Sequence, residues 1–282
     1  MTLNDKLNNL ENILKSYEHI TVALSGGVDS AFLLAFSCKV LGPEKVKAIT
    51  ASGPHLAPDE VEYAKALCAS LGIDHTIIKM DHIMPVLEPN AADRCYHCKK
   101  VMFTSLKEIA QGSVLADGTN LDDMDDYRPG HKALSALKIA NPLKDADLTK
   151  DDIRAALHNM SAEDGLANAF TLADGMPIWE KPAFACLASR IPYGEEITED
   201  KLAAVYKAES FLRSLGLRQV RVRHHGDVAR IEVPAENRYV FFDEGFMDKV
   251  NEEIKACGFK YVVLDLGGYK MGGGFHDGKS VK

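Results

Sequence analysis

Six residues constrain this chain more than any others. Ser25-Gly26-Gly27-Val28-Asp29-Ser30 stands between an apolar run at 19–24 and a helical pattern from about 30 to 41. Adjacent glycines let a backbone turn sharply and bring its N–H groups against an anion without a side chain intervening. The free amides and the positive dipole end of the following helix add to the same pole. Serine hydroxyls at both ends can donate to phosphate oxygens, and Asp29 can help to hold a magnesium ion. The segment lacks GK[ST], so it is not the common P-loop. A strand, a glycine turn and a helix in this order are the opening of an open α/β sheet.

The remainder of the first half agrees with that opening. Leu3, Leu7, Leu10 and Leu14 make one face of a first helix. Further strand patterns lie at 45–51, 73–79 and 113–116. One intervening helix has Pro58 in its first turn and Gly72 just past its last, and another covers 99–110. Strands alternating with helices predict a parallel, doubly wound sheet covered on both faces, with ligands beyond the carboxyl ends of the strands. A different order begins after about 194. Thr198 caps a helix closed by Gly216, strands at 218–224 and 228–233 turn at Gly226-Asp227, Phe246, Val250 and Ile254 form a helical stripe, and a last strand covers 259–266. Helix, strand, strand, helix, strand is a smaller α+β unit. The glycine-rich stretch 267–282 reads as a loop or a mobile end.

Composition narrows the function classes. Of 282 residues, 46% are hydrophobic and 26% charged, which excludes a disordered or collagen-like chain. Lysine and arginine number 33 against 41 acids, a net charge of −8. So acidic a chain is a poor general binder of polyanions, and nucleic acid is not an expected partner. The longest apolar runs, such as 31–36, fall far short of the ~18 residues of a membrane span, and residues 1–14 lack a signal peptide's apolar stretch. A cytoplasmic location is expected. In that reducing compartment closely spaced cysteines more often bind metal or do redox chemistry than staple the fold. Cys38, Cys68 and Cys257 sit in apolar helical patterns and read as buried hydrophobes. Cys95, Cys98 and Cys186 lie in polar, turn-like surroundings.

The loop after the fourth strand, Asp117-Gly118-Thr119-Asn120-Leu121-Asp122-Asp123, gathers carboxylates at the sheet's carboxyl edge. Beside a polyphosphate the natural cation is Mg²⁺, which keeps only one or two protein carboxylates. Asp29 and Asp122 are candidate ligands, though which carboxylate of 117–126 touches the ion is left open by the sequence; Gly118 and Thr119 are expected ATP neighbours, and Arg128 is available for a phosphate or carboxylate. Along 218–224 side chains alternate, which puts Arg221 and Arg223 on one face and Val220 and Val222 on the core face. Two parallel arginines can clamp an anion, or they can be a charged outer face balanced by Glu209 and Glu232.

SGGVDS resembles the PP-loop of the ATP pyrophosphatase superfamily, whose members cleave ATP between the α- and β-phosphates. With RCYHCK at 94–99, DGTNLDD at 117–123, DYRPG at 126–130, LTKDDIR at 148–154, KPAFACLASRIPYG at 181–194 and VRVRHHGDVARIEV at 220–233, the chain resembles the LarE sulfurtransferases over nearly its whole length. That family makes the organic ligand of the nickel-pincer cofactor of lactate racemase. One departure is 157–177, longer than the family's usual link, readable as an extra helix with Ser161 and Asp164 as a capping box.

The resemblance implies a PP-loop domain at 1–180, a reactive-cysteine loop at 181–194 and a substrate-binding and oligomerisation domain at 195–282. It implies ATP on Ser25, Gly26, Gly27, Asp29, Ser30, Gly118, Thr119 and Arg128. The substrate would be a nicotinate-derived mononucleotide with two carboxylates, pyridinium-3,5-biscarboxylic acid mononucleotide. Ser189, Arg190, Glu209, Arg221 and Arg223 would bind it, with Tyr96 stacking on the pyridinium ring. A homo-oligomer, hexamer or trimer, is implied too. Each carboxylate would be adenylated and then attacked by sulfur. In some members the cysteine at the position of Cys186 gives up its own sulfur. Here Cys95 and Cys98 accompany it, and three thiolates on a [4Fe–4S] cluster leave one iron open to carry sulfur from sulfide or a sulfur carrier. A redox pair, a zinc site and a sacrificial Cys186 guarded by the pair remain competing readings. A cluster-dependent tRNA thiolase, a nucleotide-sensing module and an ammonia-using ligase share parts of the pattern.

Overall fold

In the computed structural model, residues 1–124, 129–163 and 165–269 are described. The described chain forms two compact units: one of Met1–Gly53, Pro58–Ile83 and Cys95–Ala183, the other of Pro54–Ala57, Met84–Arg94 and the chain from Phe184 onward.

The first unit opens with α1 (Leu3–Lys15), which Thr2 caps in a reciprocal box with Asp5. Next come β1 (Ile20–Ala23), α2 (Val28–Leu41), β2 (Val46–Ser52), α3 (Pro58–Leu71) and β3 (Asp74–Lys79). After the short helix α4 (Met84–Leu87), which belongs to the second unit, come α5 (Arg94–Ile109), β4 (Val114–Ala116), α6 (Pro129–Ala136), α7 (Pro142–Asp145) and α8 (Lys150–Glu163). The four strands are parallel in the order β3-β2-β1-β4, with Ile20 level with Val46 on one side and Val114 on the other. Strand alternation divides their side chains between two cores. Ile20, Val22, Val46 and Ala48 pack with Leu10, Phe32, Leu67 and Leu157. Ile49 and Leu115 point the other way, to Phe103, Leu106 and Leu134. The expected doubly wound sheet is therefore present. Its order reverses between β1 and β4, the switch point at which such sheets open a crevice.

The second unit contains α9 (Glu199–Ser214), β5 (Arg221–His225), β6 (Val228–Glu232), α10 (Glu244–Ala256) and β7 (Tyr261–Leu264). β5 and β6 are antiparallel, β6 and β7 parallel. Thr198 and Asp243 accept from backbone amides as the caps of α9 and α10.

Three local expectations need correction. Cys95 and Cys98 lie on a helix rather than in a turn, because α5 begins at Arg94; its polar first turn hides the helical period that becomes visible only later. No separate helix starts at Ser161, which is buried inside α8. The extra length beyond α8 instead forms turns closed by a bridge between Thr171 and Pro177, with Phe170 in the core. Asp164, the other half of the expected capping box, lies outside the described residues. Finally, β5 has no solvent face: Val222, Arg221 and Arg223 are all buried. Among the described residues no helix is long and apolar enough to cross a membrane.

Candidate functional site

The loop from Ser25 to Ser30 leaves β1 at the switch point. Gly26 has φ +79°, a left-handed conformation, and a Cβ there would stand 2.5 Å from the Glu60 carbonyl oxygen. Only glycine meets both demands. Gly27 caps α2 without any side-chain bond, so the first turn of the helix keeps its amides for another acceptor. Ser25 and Ser30 brace the loop from inside. The Ser30 hydroxyl accepts from the Ser25 amide at 3.2 Å and donates to the Gly27 carbonyl at 3.1 Å, while the two hydroxyls are 3.0 Å apart. The loop after β4 closes on the same place. A Cβ on Gly118 would approach the Ser30 amide nitrogen to 2.7 Å, so Gly118 is what lets the two loops touch. Thr119 donates to Asp117 through both its amide and its hydroxyl.

Asp29 is the electrostatic centre of this corner. Burial, and then the charge of Asp123, raise its carboxyl to about 6, against lowering by Lys150 and Arg154. The two expected magnesium ligands are treated differently by the fold. Asp29 faces the other carboxylate, whereas Asp122 accepts the Lys150 amide at 2.8 Å and so anchors the beginning of α8. Asp123 is the carboxylate coupled to Asp29, and it also forms an ion pair with Lys150 at 3.0 Å. Two neighbouring carboxylates, one of which resists ionisation, are a donor set suited to a hard divalent cation. Lys150 and Arg154, one turn apart on α8, carry the local positive charge. Their spacing in LTKDDIR is the signal that sequence reading passed over.

A second set of unassigned residues supports the glycine turn. The Lys181 ammonium donates to the Gly26 carbonyl at 2.9 Å and to Glu60 at 2.7 Å, and lies 5.6 Å from the Tyr63 ring centre. Arg154 in turn donates to the carbonyls of Trp179 and Lys181. Nothing in the local pattern of KPA announces these contacts, and those of Lys181 with Gly26, Glu60 and Tyr63 join residues more than a hundred positions apart.

On α5, Cys95 is half-buried and Cys98 buried, one helical turn apart and therefore on one face. Tyr96 has Lys100 over its ring at 5.8 Å and meets the edge of His97. All six cysteines are reduced thiols. Among the described residues no three His, Cys, Asp or Glu side chains are gathered as ligands of one metal ion.

Within the second unit, Cys186 is half-buried at the start of a 3-10 turn, Leu187–Arg190. The sequence-predicted residues Ser189, Arg190, Glu209, Arg221 and Arg223 do come together here. Arg190, 1% exposed, makes a two-pronged bond to Glu209, at 2.8 and 3.0 Å, and donates to the Ala185 carbonyl. Arg223 bonds Glu232 and the Ser189 carbonyl. Arg221 donates to the Val220 carbonyl and lies over the rings of Phe184 and Tyr269. Burial, and next the neighbouring Arg190, lower it to about 10. Phe184 is shared by Arg190, Arg213 and Arg221, each within 5.3 Å of its centre. His55, buried and beside Arg94, is lowered to about 4 by burial and then by that arginine, so it is neutral at pH 7. Arg128 lies outside the described residues.

The NAD synthase family model matches residues 3–111. The pyridinium-3,5-bisthiocarboxylic acid mononucleotide synthase of Lactiplantibacillus plantarum is 37% identical over 275 residues, which are 96% of this chain and 94% of that protein. The chain belongs to the LarE family. An uncharacterized protein of Synechocystis is 37% identical over 274 residues, 96% of this chain and 97% of its own length. The NH3-dependent NAD+ synthetase of Methanoregula boonei is 40% identical, but over only 65 residues, 23% of this chain and 26% of that enzyme. The NAD synthase match ends before Cys186 and the arginine strand, whereas the LarE likeness runs through both. ATP-dependent activation is thus the part shared with the NAD synthases.

Proposed function

We propose that this chain is an ATP-dependent sulfurtransferase acting on the two carboxylates of pyridinium-3,5-biscarboxylic acid mononucleotide. Kinship with the Lactiplantibacillus synthase over almost the entire chain carries the reading. A carboxylate is a poor electrophile. Its oxygen attacks the α-phosphorus of ATP, the bond to the bridging oxygen breaks, and pyrophosphate departs with the bonding electrons. Amides of the first turn of α2 receive phosphate oxygens, as donors fixed in advance, in a loop whose shape is held by Ser25, which accepts the Gly27 amide, and by Ser30, which donates to the Gly27 carbonyl. A sulfur nucleophile then attacks the acyl carbon of the adenylate, and AMP leaves. Arg221, Arg223, Arg190 and Ser189 provide the cationic surroundings for a substrate with three anionic groups, with Glu209 holding Arg190 in place. Tyr96 offers a ring for the pyridinium.

Magnesium, held by Asp29 with Asp123 and not by the helix-anchoring Asp122, would neutralise charge on the phosphates. A [4Fe–4S] cluster on Cys95, Cys98 and Cys186 suits a set of three soft thiol donors and would supply sulfur at the sulfide level. The protein would act in the cytoplasm as a homo-oligomer fed by sulfide or a sulfur carrier. The test is anaerobic incubation with ATP, Mg²⁺, sulfide and the dicarboxylate, followed by mass spectrometry of both product and protein. Thiocarboxylate product, AMP and an intact Cys186 are expected, and Cys95→Ala should lose iron. Loss of sulfur from Cys186 would replace the cluster by a sacrificial cysteine. Failure to form AMP would refute the reading altogether.

A further inference from the structure

The far end of the stretch that carries Cys186 is gripped by a buried asparagine far from it in sequence. Asn90 is completely buried and has φ +44°. Its side-chain amide donates to the carbonyls of Pro192 at 2.5 Å and Glu195 at 2.8 Å, and its backbone carbonyl accepts the Gly194 amide at 3.2 Å. Its Oδ1 accepts from the Arg94 guanidinium, whose central carbon lies 5.6 Å from the Tyr193 ring centre. Upstream, the Leu187 amide, one residue after Cys186, donates to the His55 carbonyl at 2.9 Å. Every one of these residues belongs to the second unit, and His55, Asn90 and Arg94 come from its short segments Pro54–Ala57 and Met84–Arg94. A buried asparagine that commits its amide donors and its backbone carbonyl to one distant loop specifies the conformation of that loop. Arg94 is also the residue before Cys95.

We infer that Asn90 and Arg94 are positioning residues: they hold the 186–195 loop in the one conformation in which sulfur, and not water, meets the activated acyl group. The inference rests on the proposed sulfurtransferase reading and adds to it a determinant of coupling. In a loosened loop, water attacks the acyl carbon of the adenylate, AMP leaves as before, and the original carboxylic acid is regenerated. ATP is spent with no sulfur gained.

Asn90→Gly keeps the positive φ and removes the amide, and Asn90→Asp keeps the acceptor for Arg94 while removing the donors. In both, thiocarboxylate formed per AMP released should fall on the order of 100-fold, the penalty typical of a misplaced reacting group. Alkylation of Cys186, followed by peptide mass spectrometry, should quicken at least ~10-fold as the loop opens. An unchanged product-to-AMP ratio in a folded variant would overturn the inference, as would equal loss of both products, the mark of a merely structural residue. If the wild type makes no AMP, the functional reading falls on its own. Cys186 labelling then decides the positioning alone: acceleration upholds it and an unchanged rate rejects it.

Discussion

At Asp29 the fold keeps a carboxyl group half in the wrong state. Its ordinary pKa of 3.8 rises to about 6 through burial and the facing Asp123. A group whose pKa is raised on folding binds its proton more tightly in the native state. Stability is therefore unaffected below about 3.8, falls as pH climbs through about 6, and stays reduced above it. Asp29→Asn should raise the melting temperature at pH 7.5, by an amount equivalent to about 1–2 kcal/mol, and lose that gain at about pH 4. Mg²⁺ should stabilise the wild type at pH 7.5 and not the variant, whose AMP formation should drop on the order of 100-fold. Differential scanning fluorimetry at the two pH values, with and without Mg²⁺, checks the first parts, and AMP assay the last. No stabilisation of the variant at pH 7.5 would show that Asp29 carries no such burden.

Between elements, the decisive contact is that of the β4 loop with the start of α2. Gly118 has no Cβ to strike the Ser30 amide nitrogen or the Asp29 carbonyl carbon, which would lie at 2.7 and 3.1 Å. Both are backbone atoms and cannot rotate away. Gly118→Ala should push the two loops apart and raise KM for ATP about 10-fold or more in a folded protein, measured by pyrophosphate release. An unaltered KM would mean that the two loops need not touch. Elements of this unit were legible where the chain speaks through its own period. β1, β2, β3 and β4 all lie close to the apolar runs that predict them. The start of α5 was not legible, because Arg94-Cys95-Tyr96-His97-Cys98 has the composition of a loop and is helical only as the first turn of the longer apolar-faced segment to Ile109.

For the whole molecule, charge and division into units matter most. With 41 acids against 33 basic residues, the net charge of −8 opposes the counterion release that drives binding to RNA. Filter binding at ~0.15 M salt should find bulk tRNA held no more tightly than about 10⁻⁴ M, the weak end of non-specific association. Micromolar affinity would reopen the tRNA thiolase reading. The second unit draws Pro54–Ala57 and Met84–Arg94 out of the first half of the chain. Composition carries no trace of this, since the segments are too short for a period and are claimed by partners far along the chain.

Taken alone, the sequence determined the parallel sheet, the phosphate loop between β1 and α2, the ATP chemistry and the family. The sheet and the position of the loop are written in consecutive residues whose spacing obeys strand and helix periods, whereas the ATP chemistry and the family were implied by the resemblance of motifs such as SGGVDS and CLASRIPYG. Tertiary structure decided which acid faces Asp29, because the turn at 121–124 directs Asp122 to the α8 amide and Asp123 into the corner. It decided that the arginines of β5 are buried among glutamates and Phe184. It also decided that Asn90 grips the loop after Cys186. A pattern can say that a polar side chain needs a partner, but only burial, which removes water as the alternative, selects the partner.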